Sequence, residues 1–543
     1  MKEQIEKAIK AVITTLYPEH KDVFFSVEYA PKGIDADFAS NAAMVLAKKS
    51  GEKPMEVAEE IVKGYQGNGD KGCQVEAANP GFINFTLPPS HWQEELKMIL
   101  RQKDKYGGST ANKGKKARIE YVSANPTGPI HIGNARGGPY GEVICKVLEA
   151  TGYKVLREYL HNDVGGQVEK LGKTIWYWFE KDQGRETEFP EDGYKGEYPQ
   201  EIARAALKES KGFDIASLKQ FAIDYIFEEN LETMKRLGIR FDLIVKESDL
   251  QSSGKVAKAV EDIKRKGFTR EHEGALWFVH PSLPLPLKGR ENGDIDREAV
   301  IIKSDGKPTY FASDIAYHKE KFQSGYDLVI NILGSNHHGH VPKLKALTQV
   351  YGFPAEKFVV PLYQYVRVKK GNEIVKMAKR AGTFVTAKEV LDEVGKDSMI
   401  FFLLSTAVNT HMDFDLELAK DTSEKNPVYK VQYAYARINS VAKKTKIKPG
   451  QIDLLEHSEE LALIRELSKF PDLVREISES YNVHHLPHYL LGLAERFHSF
   501  YEKVKVITDN DNETAARLSL VKAAQIVLAN GLKLMGITPT EEM

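Results

Sequence analysis

One βαβ pattern constrains the fold of this chain more than any other segment. Residues 117–122 (ARIEYV) are a short apolar run that predicts a β-strand, and residues 134–150 predict a helix that ends near Gly152. From Tyr140 onward, apolar residues recur at i, i+3, i+4, i+7 and i+8, so one helix face can pack on a sheet. The run KVLREYL at 154–160 predicts the next strand. Because parallel strands are joined by such crossover helices, the segment predicts a parallel sheet.

A second strand, loop and helix follow further along the chain. Residues 327–334 predict a strand, 335–340 (SNHHGH) a polar loop, 341–352 a helix and 358–368 another strand. Between the two halves, the charged helical stretch at about 181–298 is interpreted as an insertion into the sheet domain. The loops that follow the strands lie at the carboxyl edge of the sheet, where open parallel sheets bind nucleotides.

The flanking regions predict two further domains. Residues 1–110 combine an amphipathic opening helix with a strand-like run at 81–87 and predict a small α+β domain. Beyond about residue 420 only helical periodicities remain, so 420–543 is predicted to be all-helical. The complete prediction is a multidomain α/β protein. A Rossmann-like, doubly wound parallel-sheet domain with a helical insertion occupies 117–415, between the small α+β domain and the all-α domain.

Composition restricts the class of protein. The 543 residues carry 76 Lys+Arg against 77 Asp+Glu, so a nucleic-acid partner must bind a local basic patch rather than a global field. We expect no membrane span, because no apolar run approaches about 18 residues, and no signal peptide at the amino terminus. The two cysteines, Cys73 and Cys145, do not form a pattern for disulfides or zinc. These features predict a cytoplasmic protein.

Two loops carry residue types that handle phosphate. The motif PIHIGN directly precedes a helix, whose amino terminus offers partial positive charge and free backbone donors. His131 can present an N–H to a phosphate oxygen, and Gly133 lets a base or ribose approach the backbone. The later motif VKMAKRAGT sets Lys376 and Lys379 three residues apart, where two charges can neutralise a leaving pyrophosphate.

The motifs HIGN and KMAKR occur in this order across a predicted nucleotide-binding fold, and they resemble the two signature loops of class I aminoacyl-tRNA synthetases. The resemblance narrows to the arginyl-tRNA synthetase family through EYVSANPTGPIHIGNARG, YLHNDVGGQ, DGYKGEY, YFASDIAYH and NPVYKVQYAYARI. DADFASNAAMVLAKK and ANPGFINFTL are similar to that family's amino-terminal accessory domain, and the closing GITPTEEM resembles its carboxyl terminus. The resemblance therefore covers nearly the whole chain.

The resemblance implies an arginine–tRNA ligase in protein synthesis. L-arginine and ATP give arginyl-adenylate with pyrophosphate leaving, and the arginyl group passes to the 3′ end of tRNA(Arg). It further implies Mg²⁺, tRNA binding before arginine activation, and a monomer. Apart from the resemblance, we expect no DNA or membrane partner and no metal held by the protein. The family's catalytic and ATP-binding positions correspond to His131, Gly133, Asn134, Lys376, Met377 and Lys379. Two departures are Ala378, where the signature has serine, and Asn134, where the fuller motif has histidine.

The arginine pocket follows from the chemistry of the guanidinium group. This group has five donors and cannot lose its charge, so it requires a carboxylate and neutral acceptors. Tyr310 and Asp314 are four residues apart and share a face if the segment is helical. By resemblance, the pocket further includes Glu120, Ser123, Asn125, Gln167 and His337, with Asp163 nearby.

For tRNA, the resemblance implies that the helical carboxyl-terminal domain binds the anticodon. Its aromatic and arginine side chains can stack on splayed bases. The candidates are Tyr429, Tyr433, Arg437 and Met543, although tyrosines at helical spacing are more often core residues.

Other interpretations remain open from the sequence. His337, His338 and His340 allow a metal cluster, which is less favoured because carboxylate or cysteine ligands at regular spacing are missing. A second possibility is another nucleotidyl-transfer enzyme of the superfamily, such as a pantothenate or nicotinamide-mononucleotide activator. A third is a synthetase-like protein that binds tRNA without catalysis. The long helical domain argues against the second, and the two intact phosphate motifs argue against the third.

Overall fold

The structure is a computed structural model that describes residues 2–31, 33–68, 72–209, 212–282, 300–371, 373–374 and 385–543. Contacts divide the chain into two compact units. The first comprises Met1–Arg101, Thr445–Ser468 and Ser499–Ala523, and the second comprises Gln102–Lys444, Lys469–His498 and Ala524–Met543. Segments of the predicted carboxyl-terminal domain thus belong to both units, and the domain bounds given above remain predictions.

The first unit contains the predicted small α+β fold. Its antiparallel sheet has the spatial order Val27–Tyr29, Phe38–Ser40, Phe82–Thr86 and Gln74–Ala78. The helices along this part of the chain are Lys2–Leu16, Ala42–Ser50, Pro54–Asn68, Pro89–Gln102 and, later, Ser458–Ser468. The opening helix is amphipathic as expected, since it buries Ile5, Ile9, Val12 and Ile13 along one face.

A five-stranded parallel sheet forms the centre of the second unit. In chain order its strands are β1 (Lys116–Glu120), β2 (Lys154–His161), β3 (Leu243–Lys246), β4 (Leu328–Asn331) and β5 (Phe358–Val359). Their spatial order is β5-β4-β1-β2-β3, and every neighbouring pair is parallel. This arrangement confirms the predicted doubly wound α/β fold. In this order β2 lies on one side of β1 and β4 lies on the other, so the direction of chain progression reverses between β1 and β4. A crevice is expected at the carboxyl ends of these two strands.

Burial explains why the sheet forms here. Every residue of β4 is buried, and so is β1 after its first residue, as expected for strands covered on both faces. The crossover helix Gly137–Ala150 buries all the apolar positions on its predicted face: Tyr140, Val143, Ile144, Val147 and Leu148. Parallel pairing places Glu120 directly beside Asn331 at the carboxyl ends of β1 and β4.

The remaining elements of the second unit surround this sheet. Its helices are Ile132–Ala135, Gly137–Ala150, Gly166–Asp182, Tyr198–Lys208, Ile215–Arg236, Glu247–Ser252, Lys255–Arg265, Tyr310–Gln323, Val341–Tyr351, Ala387–Val394, Lys396–Leu404, Leu416–Lys420, Pro427–Lys443 and Phe470–Ser480. Smaller sheets consist of Thr269–His272, Ala275–Phe278 and Val300–Ile302, of Leu333–Gly334 with Leu362–Tyr363, and of Glu373–Ile374, Val366–Lys370 and Met412–Asp415. Two long helices, His485–Lys503 and Asp511–Met535, have residues in both units.

Three predictions of local structure were wrong. The stretch at 181–298 is not purely helical, because β3 lies within it and joins the central sheet through the backbone of β2. The strand predicted over 358–368 is divided among three sheets, since Pro361 has no N–H to continue a ladder. The polar loop SNHHGH forms a 3-10 helix, Ser335–His340.

One helix departs from the expectation about apolar runs. Among the described residues, Asp511–Met535 alone is long and apolar enough to cross a membrane, with a mean hydropathy of 1.3 over its most apolar window. Of that window, 67% is buried inside the protein. Its apolar residues are therefore used mainly in the interior, as in a core helix.

Candidate functional site

A cavity of about 1180 Å³ opens in the second unit at the carboxyl ends of β1 and β4. Its position agrees with the rule for ligand sites in doubly wound sheets. Residues predicted from distant parts of the sequence line this cavity together: Glu120, Ser123, Asn125, His131, Gly133, Asn134, Gln167, Tyr310, Asp314 and His337. The predicted Lys376, Met377 and Lys379 lie outside the described residues.

His131 marks the start of the short helix Ile132–Ala135. Its backbone is extended, with φ −82° and ψ 158°, and its Nδ1 accepts a hydrogen bond from the Asn134 N–H at 3.3 Å. The neutral imidazole therefore carries its proton on Nε2, the atom that can donate to an anionic oxygen. A Cβ at Gly133 would lie 2.9 Å from His131 Cε1, so this ring position requires glycine next to it.

The loop that leads to His131 is fixed by long-range hydrogen bonds. Asn230 accepts from the Ile130 N–H at 2.9 Å, and the Tyr198 hydroxyl donates to the Thr127 carbonyl at 2.9 Å. Both side chains come from the stretch interpreted as an insertion. That stretch therefore positions the first signature loop, in addition to covering the sheet.

Immediately after β1 the backbone turns through conformations that ordinary residues rarely adopt. Val122 has φ 69° and Ser123 has φ 39°, and such strain persists only when surrounding contacts hold it in place. The Ser123 hydroxyl supplies two of these contacts. It donates to Glu120 Oε1 at 3.0 Å and accepts from the Leu160 N–H at 3.0 Å.

Beneath the strand ends lies a buried ionic network. Lys321 is completely buried, and its Nζ donates to Glu120 Oε2 at 2.6 Å and to Asn331 Oδ1 at 3.0 Å. The same ammonium lies 3.0 Å from Glu158 Oε2, which also pairs with Arg118. Two cations thus balance two carboxylates, which is the condition for charges to remain buried. The network fixes Glu120 at the cavity wall.

Asp314 lies on the helix Tyr310–Gln323, one turn after Tyr310, and both line the cavity. Burial alone would raise the pKa of the Asp314 carboxyl, but the His340 imidazole, 2.9 Å away, brings the net pKa below its ordinary value. His318 is neutral, since burial lowers its pKa to about 4, and its Nδ1–H donates to the Asp314 carbonyl at 2.8 Å. Asp314 is therefore ionised at neutral pH.

The Tyr310 hydroxyl lies against Gly165. Gly165 has φ +101°, and a Cβ there would lie 1.9 Å from the Tyr310 hydroxyl oxygen. The phenol can occupy this position only because the side chain at 165 is absent. Burial raises the pKa of Tyr310, and the nearby Glu247 raises it further, so the hydroxyl keeps its proton.

Amide side chains orient Asn125. Its Nδ2 donates to Gln167 Oε1 at 3.2 Å, and its Oδ1 accepts from Asn162 Nδ2 at 3.1 Å. Asp163 does not line the cavity, because its carboxylate accepts from the backbone and hydroxyl of Ser248 at 2.9 and 2.6 Å.

Glu247 is a cavity residue that the sequence analysis missed. It directly follows β3, it is 3% exposed, and its Oε2 has no hydrogen-bond partner among the described residues. Burial raises its pKa to about 7, and the negative charges of Asp314 and Asp163 contribute in the same direction. The signal was available: a glutamate directly after an apolar run, FDLIVKE, lies at a strand end. It was missed because the run was assigned to a helical insertion.

From the sequence, the histidines near Asp314 also allow a metal cluster. Among the described residues, no group of three or more His, Cys, Asp and Glu side chains is arranged to hold a metal ion. His340 instead pairs with the Asp314 carboxylate, and His337 lines the cavity beside it.

The predicted tRNA-binding residues lie away from the cavity wall. Tyr429 and Tyr433 stack on the helix Pro427–Lys443, with ring centroids 6.2 Å apart and planes inclined by 9°. The Arg437 guanidinium lies 4.7 Å from the Tyr433 ring and donates to its hydroxyl at 2.6 Å. Met543 at the chain end is 54% exposed.

Comparisons with known proteins agree along the whole chain. Three family models match: the arginyl-tRNA synthetase N-terminal domain over residues 1–87, the class I (R) tRNA synthetase catalytic domain over 95–403, and the DALR anticodon-binding domain over 431–543. An arginine–tRNA ligase of Citrifermentans bemidjiense is 40% identical over 534 residues, which is 95% of each chain. One from Bacillus pumilus is 36% identical and covers 99% of this chain and 98% of its own.

Solved structures agree on the fold. The arginyl-tRNA synthetase of Thermus thermophilus superposes with a TM-score of 0.79 at 22% identity, and the match covers 100% of both chains. A methionyl-tRNA synthetase of Mycobacterium tuberculosis covers 77% of this chain, with a TM-score of 0.53 at 12% identity. The fold is therefore shared with synthetases that differ in the amino acid they are named for.

Proposed function

Because this chain belongs to the arginyl-tRNA synthetase family of class I aminoacyl-tRNA synthetases, we propose that the cavity at the ends of β1 and β4 is the site of arginine activation. The chain is an aminoacyl-tRNA synthetase that uses ATP to ligate arginine to tRNA(Arg). One observation carries the assignment of the site: the His131 turn and the Asp314 carboxylate line the same cavity.

The polar groups of the cavity match those of arginine. The guanidinium would pair with Asp314, which is ionised, and with the unpartnered oxygen of Glu247, beside the Tyr310 hydroxyl. Glu120 and Asn125 lie at the strand end and suit the ammonium and carboxylate of the amino acid. Ser123, Gln167 and His337 complete the proposed arginine pocket. A pocket built to satisfy five donors should reject ornithine and citrulline.

ATP would lie against the His131 turn. Gly133 and Asn134 belong to the same turn, and we assign the triphosphate also to Lys376, Met377 and Lys379, on the basis of the family motif alone. Mg²⁺ is usually held mainly by substrate phosphates and water in such sites, which suits a cavity without a described metal cage. When bound, this ion neutralises charge on the phosphate oxygens.

The proposed reaction needs no covalent link to the enzyme. A carboxylate oxygen of arginine attacks the α-phosphorus of ATP, the bond to the β-phosphate oxygen breaks, and pyrophosphate leaves. A hydroxyl of the terminal ribose of tRNA then attacks the arginyl carbonyl carbon, and AMP leaves. The protein aligns the reactants and stabilises charge on the phosphate oxygens, which is the role proposed for His131 Nε2–H.

For tRNA, the proposal assigns anticodon contacts to Tyr429, Tyr433, Arg437 and Met543. The stacked tyrosines with a guanidinium above one ring form the kind of platform on which bases stack. We further propose that residues 1–110 contact tRNA as an accessory domain, that 117–415 carry catalysis and that 420–543 bind the anticodon. A cytoplasmic monomer without DNA or membrane partners completes the proposal.

The test is pyrophosphate exchange with each of the twenty amino acids, with and without tRNA. We expect exchange with arginine alone among them, and only when tRNA is present. Activation of pantothenate or nicotinamide mononucleotide instead would favour another nucleotidyl transferase. Binding of tRNA without any exchange would favour a non-catalytic protein.

A further inference from the structure

Arg136 is a buried cation that the proposed reaction does not use. It lies two residues after Asn134, it is 1% exposed, and it forms no ion pair with a described carboxylate. Burial lowers its pKa to about 10, so it stays charged at neutral pH. A buried charge requires compensation, and here backbone carbonyls supply it.

The guanidinium binds two separate stretches of backbone. Nη1 donates to the carbonyls of Gln364, Val408 and Thr410 at 3.3, 3.2 and 2.7 Å. Nη2 donates to those of Thr406 and Ala407 at 2.9 Å each. A planar group with several diverging N–H bonds can serve all these acceptors, whereas a lysine ammonium cannot.

The first stretch forms one wall of the cavity. Gln364 stands between Tyr363 and Tyr365, both of which line the cavity. A Cβ at Gly137 would approach the Tyr363 ring to 3.0 Å, and one at Gly133 would approach the Tyr365 ring to 3.6 Å. The Arg136 bond to the Gln364 carbonyl therefore links the signature turn to this wall.

The second stretch, 406–410, leads into the strand Met412–Asp415, which pairs in parallel with Val366–Lys370. The two stretches are also joined directly, because the Gln364 N–H donates to the Val408 carbonyl at 2.8 Å and the Met412 N–H donates to the Tyr365 carbonyl at 3.3 Å. Arg136 thus holds the strand from which the chain continues towards the second signature motif.

The chain beyond that motif is tied to the same turn. The Ile132 N–H donates to the Val385 carbonyl at 3.2 Å, and the Ala387 N–H donates to the Ile130 carbonyl at 2.7 Å. These bonds flank an isolated bridge between His131 and Thr386. The segment Ile130 to Arg136 therefore binds backbone on both sides of residues 375–384. Arg136 binds Gln364, which precedes them, and residues 130–132 bind Val385 and Ala387, which follow them.

We propose that Arg136 is a positioning residue for ATP: its guanidinium holds the Tyr363–Tyr365 wall and the strand Val366–Lys370 in a fixed relation to His131. It acts through backbone and touches no substrate. The inference rests on the proposed function, since it assigns the nucleotide to this end of the cavity. The arginine end depends on other side chains, chiefly Asp314 and Lys321, so the two substrates should respond differently.

The kinetic test is Arg136→Lys in the full-length protein. This substitution keeps the positive charge and removes the planar guanidinium group. We expect the KM for ATP in pyrophosphate exchange to rise at least ~10-fold, with the KM for arginine within ~2-fold and tRNA affinity unchanged. The matched control is Arg204→Lys, an exposed arginine paired with Asp182, which should behave as the unsubstituted protein. Equal increases in both KM values, or no change in either, would overturn the proposal.

A second measurement does not depend on activity. Amide hydrogen exchange at Gln364 and Met412 should accelerate at least ~10-fold in Arg136→Lys, while Ile119 and Ile330 in the central sheet stay protected. Unchanged exchange at Gln364 and Met412 would refute the proposed positioning role of Arg136. If the unsubstituted protein shows no arginine-dependent pyrophosphate exchange, the proposed function fails, and hydrogen exchange still decides whether Arg136 holds these segments.

A third measurement uses chemical rescue. Arg136→Ala should regain at least ~5-fold activity when methylguanidinium is added, with arginine saturating and the unsubstituted protein as the control for inhibition. Methylammonium at the same concentration should have no effect. A folded Arg136→Ala variant that methylguanidinium does not rescue would contradict the proposed positioning role of Arg136.

Discussion

At the Asp314 end of the cavity, side chains are positioned by contacts with other side chains. At the His131 end, the positioning contacts are mostly made by backbone groups. Asp314 pairs with His340, and Glu120 is fixed by the fully buried Lys321. His131, in contrast, is positioned by an amide N–H, by neighbouring glycine and by backbone bridges to Val385 and Ala387.

The difference follows from what each end is proposed to bind. A guanidinium needs fixed negative charge, and buried carboxylates need partners of their own. Phosphate is bound well by backbone N–H groups at a turn before a helix, which are neutral and already oriented. Removing a carboxylate at the first end should therefore act through charge, whereas the second end depends on the oriented donors of the His131 turn. Four predictions test this contrast, in order of decreasing effect.

Asp314→Ala should lower kcat/KM for arginine by ~1000-fold, because the guanidinium would lose a buried ionic partner. The KM for ATP should change by no more than ~3-fold. Asp314→Asn, which keeps the shape and removes the charge, should resemble the alanine variant. Steady-state pyrophosphate exchange measures both constants, and an unchanged KM for arginine would remove Asp314 from the pocket.

His131→Ala should reduce the rate of pyrophosphate exchange by ~100-fold at saturating substrates, because one donor to the phosphate oxygens is lost. Affinity for tRNA, measured by filter binding, should stay within ~2-fold of the unsubstituted protein. If the variant turns over at the original rate, His131 has no part in the chemistry and the two ends do not differ as described.

Gly165→Ala should raise the KM for arginine by ~30-fold, because the new Cβ would displace the Tyr310 hydroxyl and the backbone at φ +101° would be strained. Gly166→Ala is the matched comparison, since a Cβ there meets nothing within 4 Å. It should cost no more than ~3-fold. Similar values for both variants would show that contact with Tyr310 is not what requires glycine at 165.

Arginine affinity should increase with pH through the titration of Glu247. Its pKa is raised to about 7, so below that pH the carboxyl is protonated and must lose its proton to pair with a guanidinium. The dissociation constant for arginine should therefore be ~10-fold larger at pH 6 than at pH 8. The decisive comparison is with Glu247→Gln, whose side chain cannot titrate. A dependence of equal size in Glu247→Gln would show that Glu247 is not its source.

The sequence was sufficient for features that repeat or that are local. The helical face from Tyr140 to Leu148 and the spacing of Tyr310 and Asp314 are periodic, and both were read correctly. β3 was missed because its short apolar run lies inside a charged region that was interpreted as helical. Glu247 was missed for the same reason, because its position in the cavity wall depends on the strand before it.

By itself, the sequence determined the fold class and predicted two phosphate-binding motifs and an arginine-recognition pair, because hydrophobic period and motif spacing are properties of neighbours along the chain. Only the tertiary structure decided that Glu247 joins Asp314, that Lys321 fixes Glu120, and that Arg136 binds backbone 228 to 274 residues away. These contacts depend on burial and on hydrogen-bond geometry between distant segments, and no local pattern in the chain specifies either.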